Sequence, residues 1–301
     1  MLRAYLSLLA ATFIVGFSFA FVKISLEFAS VFESLAHRFS IAFIVVLILI
    51  KFGFINEKIS LKDFKKISFI AILYPSLFFA FQAFGLTFTS SVMAGIFHAC
   101  TPVVTMVFAH FFIGEYTNIW QKFFALVSVF GIIYIIYMSG NFGENSNLIG
   151  NFLIILSVIA ISLYNVFARR VLAKFEISKL VIVTIFIGFI FFNMLNLSDY
   201  ILKSRELKLY FAPFLDIKFT ISTLFLAIFS SVATSFLFGY SLKRLEAFKI
   251  GIFSNLSALV TIIAGIFLLD ENFEIYHFLG ASFIILGVVG VNLANIKRNA
   301  R

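Results

Sequence analysis

The chain has 301 residues, 62% of them hydrophobic and only 12% charged, against roughly 25% charged in an ordinary soluble domain. Twenty-three Lys and Arg with 14 Asp and Glu are too few to clothe a globule of this size, so a soluble enzyme, a disulfide scaffold and a disordered chain are excluded. The net charge of +9 reads as basic loops beside a bilayer rather than a nucleic-acid surface, and Cys100 as a small apolar filler.

A bilayer-spanning helix needs about 20 mostly apolar residues. Ten such stretches follow one another: Ala4–Val22, Phe32–Ile50, Ile67–Thr87, Ser91–Ile113, Ile119–Met138, Leu148–Ala168, Leu180–Leu197, Phe219–Leu242, Phe248–Leu269 and Ile275–Asn295. The first is too long for a cleavable signal sequence and lacks a small-residue cleavage motif. The longest connection, Ser198–Lys218, leaves no room for a soluble domain. With the N-terminus in the cytoplasm, 17 Lys and Arg fall in inside segments, among them Lys58, Lys62, Lys65, Lys66, Arg169, Arg170, Lys243 and Arg244. Four fall outside, Lys203, Arg205, Lys208 and Lys218, all in that one connection. This asymmetry predicts cytoplasmic termini and an even number of spans.

The chain also resembles itself. Gly95-Ile96-Phe97 recurs 156 residues later as Gly251-Ile252-Phe253, and at the same offset Gly114-Glu115 meets Asp270-Glu271, Ala125 meets Ala281 and Gly131 meets Gly287. Upstream the register drifts: Gly85 meets Gly239 at 154, and Lys23 falls near Arg169 at about 146. Five spans per unit is an odd number, so the second unit enters the membrane from the opposite side. The expected fold is an all-α membrane protein with ten transmembrane helices in two inverted-topology five-helix repeats, residues 1–140 and 148–298. Inverted repeats of this kind build secondary transporters.

These residues resemble the drug/metabolite transporter superfamily, in particular its bacterial EamA-type permeases. The resemblance rests on Gly16-Phe17-Ser18-Phe19-Ala20 with Lys23, Arg38-Phe39 with Ala42, Gln82 with Gly85-Leu86, and Pro102 with Gly114-Glu115. In the second half it rests on Tyr164 with Arg169-Arg170, Tyr240 to Leu245, Leu268 to Glu271, and Gly280-Ala281 with Gly287. It covers nearly the whole chain. Two departures stand out: Ala258 where the family usually has Pro, and Ser257 where it commonly has Glu. The resemblance implies a permease of the bacterial inner membrane acting on a small organic molecule, with no cofactor and no nucleic-acid partner. Besides that substrate and the lipid bilayer, a homodimer is the one partner left open.

Ionisable groups inside spans are costly, so each is a candidate for function. Arg38 has two readings: it snorkels or pairs with Glu33, or it contacts a substrate carboxylate through its planar guanidinium. Lys23 reads as snorkelling and His110 as interfacial. His98 stands four residues before Pro102, whose ring crowds the carbonyl at that distance. A bend with a free His98 carbonyl is therefore expected. The imidazole then serves proton coupling or substrate binding, or is a neutral ring bonded to a neighbouring helix. Gln82, Tyr164, Asn165, Asn255 and Ser257 complete the expected substrate pathway, with Asn193 as a further buried polar group; interhelical bonding is the alternative role for each. Gly131, Gly251 and Gly287 read as close-packing positions. No metal-ligand, phosphate-loop or catalytic constellation is present, so no enzymatic activity is expected. The sequence thus points to a secondary carrier exporting an amino acid or related metabolite by alternating access. Metabolite uptake and a non-transporting sensor or assembly protein are the alternatives.

Overall fold

The computed structural model describes residues 1–86, 88, 89, 94, 97–138, 147–202, 207–269 and 274–299. Thr87, Ser91, Gly95, Ile96, Lys203, Arg205, Asp270 and Glu271, used in the sequence arguments above, lie outside them. The described residues form helices and no strand. They are α1 (Leu2–Leu26), α2 (Val31–Lys51), α3 (Leu61–Leu86), α4 (Thr101–Ile113), α5 (Ile119–Met138), α6 (Leu148–Leu172), α7 (Ile177–Leu202), α8 (Ile217–Leu242), α9 (Ala247–Leu269) and α10 (Ile275–Asn299). Eight are long and apolar enough to cross a bilayer; α4 and the Ala247–Thr261 part of α9 are shorter apolar helices.

Polar residues at the ends start and stop these apolar runs. Ser30, Ser60, Asn147 and Asp216 each accept a hydrogen bond from a first-turn N–H of α2, α3, α6 and α8, satisfying a donor that lipid cannot. Gly114 ends α4 at φ +68°, a conformation in which it alone avoids a Cβ penalty.

Two helices carry a π-turn at mid-length, and in the first the backbone also leaves helical angles. In α3 the turn Ile72–Leu77 is a π-turn in which Tyr74 has extended backbone angles ahead of Pro75. In α8 the turn Ile228–Ala233 is also a π-turn. These turns stand 156 residues apart, as do the starts of α3 and α8 and of α5 and α10. The starts of α1 and α6, and of α2 and α7, are 146 apart. The difference arises between α7 and α8, where the second half carries an added short helix, Leu207–Leu215. At the bounds of α3 and α8, Gly85 therefore corresponds to Ser241 rather than to Gly239. Their contacts agree: a Cβ on Gly85 would sit 3.2 Å from the Gly150 carbonyl, and Ser241 donates to the Ala4 carbonyl, Ala4 and Gly150 being 146 apart.

The packing repeats in the same way. α1 lies on α9 as α6 lies on α4, and α3 lies on α6 and α7 as α8 lies on α1 and α2. α2 faces α7, α4 faces α9, and α5 faces α10. The α5–α10 crossing is tight: a Cβ on Gly287 would meet Ser128 Cβ at 2.5 Å, and one on Gly131 would meet the Gly280 carbonyl at 2.7 Å. Small residues let backbones approach where lipid supplies no hydrophobic drive.

Candidate functional site

Arg38 lies two turns into α2, roughly 10 Å along it from Val31 at the α-helical rise. Its side chain crosses to the middle of α8. Nε donates to Ser231 Oγ at 2.7 Å, and Nη2 donates to Ser230 Oγ at 3.2 Å and to the Ser230 carbonyl at 3.3 Å. The π-turn makes this possible, because it loosens carbonyls that hydroxyls then share: Ser231 Oγ donates to Leu226 O, and Thr234 Oγ1 to Ser230 O. Such turns cluster at functional sites. The guanidinium also lies 5.8 Å from the Phe39 ring centre and 5.4 Å from that of Phe79. Arg38 is 6% exposed and makes no ion pair among the described residues. Glu33, the partner expected from sequence, instead accepts from the Tyr200 hydroxyl at 2.5 Å, and Arg38, five residues further along α2, turns to the serines of α8.

The interruption of α3 supplies the aromatic part. Freed from helical direction, Tyr74 packs on Tyr164 at 5.0 Å, Phe78 at 5.6 Å and Phe79 at 5.7 Å. Phe78 continues the path to His98 at 5.7 Å. His98 Nε2 is 3.1 Å from Gln82 Nε2 and 3.3 Å from Ser157 Oγ. With the Gln82 amide donating, Nε2 is the acceptor and the imidazole is neutral.

Of the residues singled out from sequence, the structure thus gathers Arg38, Gln82, His98 and Tyr164 along one path of rings. Asn165 is buried at the next position of α6. Pro102 lies in the first turn of α4, where its missing N–H costs nothing. The helix does break there, between Phe97–Ala99 and Thr101. The His98 carbonyl is not free, however, since Thr101 Oγ1 donates to it at 2.6 Å. Asn255 and Ser257 stand apart from the path. Asn255 donates to Ala99 O at 3.4 Å and Ser128 Oγ at 3.1 Å, where α4, α5 and α9 meet, and Ser257 donates to Ser254 O within its own helix. Tyr74, Phe78, Phe79, Ser157, Ser230 and Ser231 belong to the path and were not singled out. Pro75 inside an apolar run and the Ser230-Ser231 pair were the available signals.

Each end of the bundle carries a vestibule. At one, a cavity of about 590 Å³ is lined by Glu33, Tyr200, Leu209, Pro213 and Asp216 among others. The short helix leans over it, with Tyr210, Phe214 and Phe219 around His37. At the other, a cavity of about 560 Å³ is lined by Ile113, Glu115, Arg169, Ala173 and Lys243 among others. Ion pairs tie helix ends together there. Glu115 pairs with Arg169 and accepts the Ala247 N–H at 3.0 Å, Arg169 donates to Leu242 O at 3.1 Å, and Lys179 pairs with Asp63 at 2.8 Å. Burial holds the Glu115 carboxyl above the usual carboxylate range, with Arg169 pulling the other way. Among the described residues no cluster of three or more His, Cys, Asp or Glu could hold a metal.

A profile of the EamA-like transporter family matches residues 2–137 and again 148–293. An uncharacterized transporter of Bacillus subtilis (strain 168), YcxC, is 41% identical over 298 residues, covering 99% of this chain and 95% of the relative. A second from the same organism, YetK, is 29% identical and covers 95% of this chain and 85% of the relative. A crystal structure at 15% identity superposes with a TM-score of 0.77 over 95% of this chain and 96% of the other, a likeness of fold.

Proposed function

The chain belongs to the EamA-like transporter family, a multi-pass membrane protein by its apolar helices, and on that premise we propose that it is a secondary transporter of a small organic metabolite. The substrate is an amino acid or a related compound, moved by alternating access between two inverted five-helix halves. Both termini are cytoplasmic, the membrane is the bacterial inner membrane, and the direction is export.

One observation carries this reading. Both helices that carry a π-turn at mid-length, α3 and α8, meet the same buried Arg38 path, and the two turns stand 156 residues apart. Irregular backbone at membrane depth is tolerated only where it is buried in protein or lines a cavity, and discontinuous helices form the substrate sites of secondary transporters. Halves of matching length and packing supply two conformations of similar energy, one open to each side. The positive-inside rule supports the Arg169 end as the cytoplasmic one.

The test uses a single thiol. With Cys100→Ala the chain is free of cysteine, and Ser76→Cys places one thiol in the interrupted turn of α3, where Ser76 is 1% exposed. A membrane-impermeant maleimide reaches it from both sides in right-side-out and inverted vesicles if access alternates. Reaction from neither side, or from one side only, contradicts the proposal.

A further inference from the structure

We infer that the substrate is a net-anionic organic acid, a carboxylate on a flat apolar body, rather than a zwitterion or a cation. The inference rests on the transport reading above and narrows its substrate from amino acids and related compounds to the related compounds that keep the carboxylate and lack the ammonium group. Its basis is the distribution of charge along the solute path.

Arg38 is the one cation among the described residues of that path. The ten described acidic residues lie elsewhere: Glu27, Glu57, Glu115, Glu176, Asp216, Glu246 and Glu274 fall between the helices, and Glu33, Asp63 and Asp199 fall in their terminal turns. Neutral groups make up the rest of the path: Ser230 and Ser231, the rings of Phe39, Phe79, Tyr74, Phe78 and Tyr164, and the Gln82–His98–Ser157 group.

Burying an unpaired cation is expensive, and here two serines and two ring faces compensate only in part. A packing role does not require the charge. In the equivalent helix, 146 residues on, the same position is Thr184, which is 2% exposed. The guanidinium carries five N–H donors, and its hydrogen bonds run from Nε and Nη2 alone. Nη1 is left to meet a planar oxyanion of the kind that guanidinium geometry matches. An incoming carboxylate makes the buried site neutral. A zwitterion makes the same contact but brings an ammonium group, and among the described residues the path holds no carboxylate to receive it. A cation adds to the charge already there. The rings between Arg38 and His98 favour a flat body, with the neutral His98 group at the far end for a hydroxyl or carbonyl.

Three probes sharing one phenylethyl body separate the cases: 3-phenylpropanoate is anionic, L-phenylalanine zwitterionic and 2-phenylethylamine cationic. Each is measured by counterflow in proteoliposomes of the full chain and by ligand-induced thermal shift of the purified protein. The acid should exchange, and bind at least about tenfold more tightly than phenylalanine. Arg38→Gln should erase that preference, and Arg38→Lys should weaken it. Because the preference is a ratio within one preparation, a variant that folds in lower yield still reports it. Equal or better exchange of phenylalanine or phenylethylamine overturns the anion assignment and leaves transport standing. No binding or exchange of the acid by intact protein also overturns it, and two-sided labelling at position 76 then judges transport separately. An acid preference that survives Arg38→Gln overturns the role given to Arg38.

Discussion

Replacing Arg169 by Met removes one half of the pair that ties the ends of α4 and α6, while keeping an unbranched chain of similar length. The Arg169 side chain is 27% exposed and that of Glu115 12%. Exposed pairs contribute about 0–1 kcal/mol and breaking a buried one costs about 3–5 kcal/mol. The partly covered pair falls between, and Glu115 keeps its bond from the Ala247 N–H, so about 2 kcal/mol is expected. If the pair holds this end shut, the loss shifts the conformational equilibrium about 30-fold toward opening there. The assay is the maleimide rate at Ser76→Cys from each face in the Cys100→Ala background. Arg169→Met should raise the rate from the Arg169 end by that order and lower it from the Tyr200 end. Rates within threefold of the parent on both faces would refute the assignment of this ion pair as a closing contact.

Three further outcomes are expected. Gly287→Val should lower thermal stability in detergent by about 3 kcal/mol or more, since even its Cβ would meet Ser128 at 2.5 Å and backbone on two sides; an unchanged melting temperature contradicts the α5–α10 contact. Glu115 binds its proton more tightly when covered than when exposed, because burial outweighs the pair with Arg169; protonation discharges the pair yet favours closure on balance, fully below the ordinary Glu value of about 4.3 and less as pH rises through the raised one. Labelling at position 76 from the Arg169 end should quicken over that rise, and Glu115→Gln should flatten the dependence. In the Glu115→Gln background, His98→Gln should remove the pH dependence of counterflow that remains; an unchanged profile removes His98 from proton coupling.

Much of this was legible in the sequence because lipid imposes a simple rule: charged residues gather at helix ends, so their absence marks the spans. The bounds of α5 agree with the reading at Ile119 and Met138, as do the starts of α6 and α10, and the starts of α7, α8 and α9 differ by one to three residues. The seventh span runs on to Leu202, and the connection after it holds a short helix, because Leu209, Tyr210, Phe211 and Phe214 are apolar enough to fold back over the vestibule. Hydrophobicity could not register the π-turns, since Tyr74 and Val232 are as apolar inside an interrupted helix as inside a regular one. With those turns hidden, Arg38 had no visible target, and Glu33, nearest in sequence, stood in for the serines of α8. Asn255 illustrates the converse. A buried polar residue at the right depth bonds two neighbouring helices rather than joining the path, and depth alone does not separate those roles.

The central claim is that the two ends open in alternation around the Arg38 path. Spin labels at Phe112 and Ala173 report the Arg169 vestibule, and labels at Phe28 and Leu209 report the Tyr200 vestibule. Pulsed electron–electron distances in nanodiscs should give two populations at each end, and Arg169→Met should lengthen the first pair while shortening the second. A single unchanging distance at both ends, or both pairs lengthening together, would contradict alternating access.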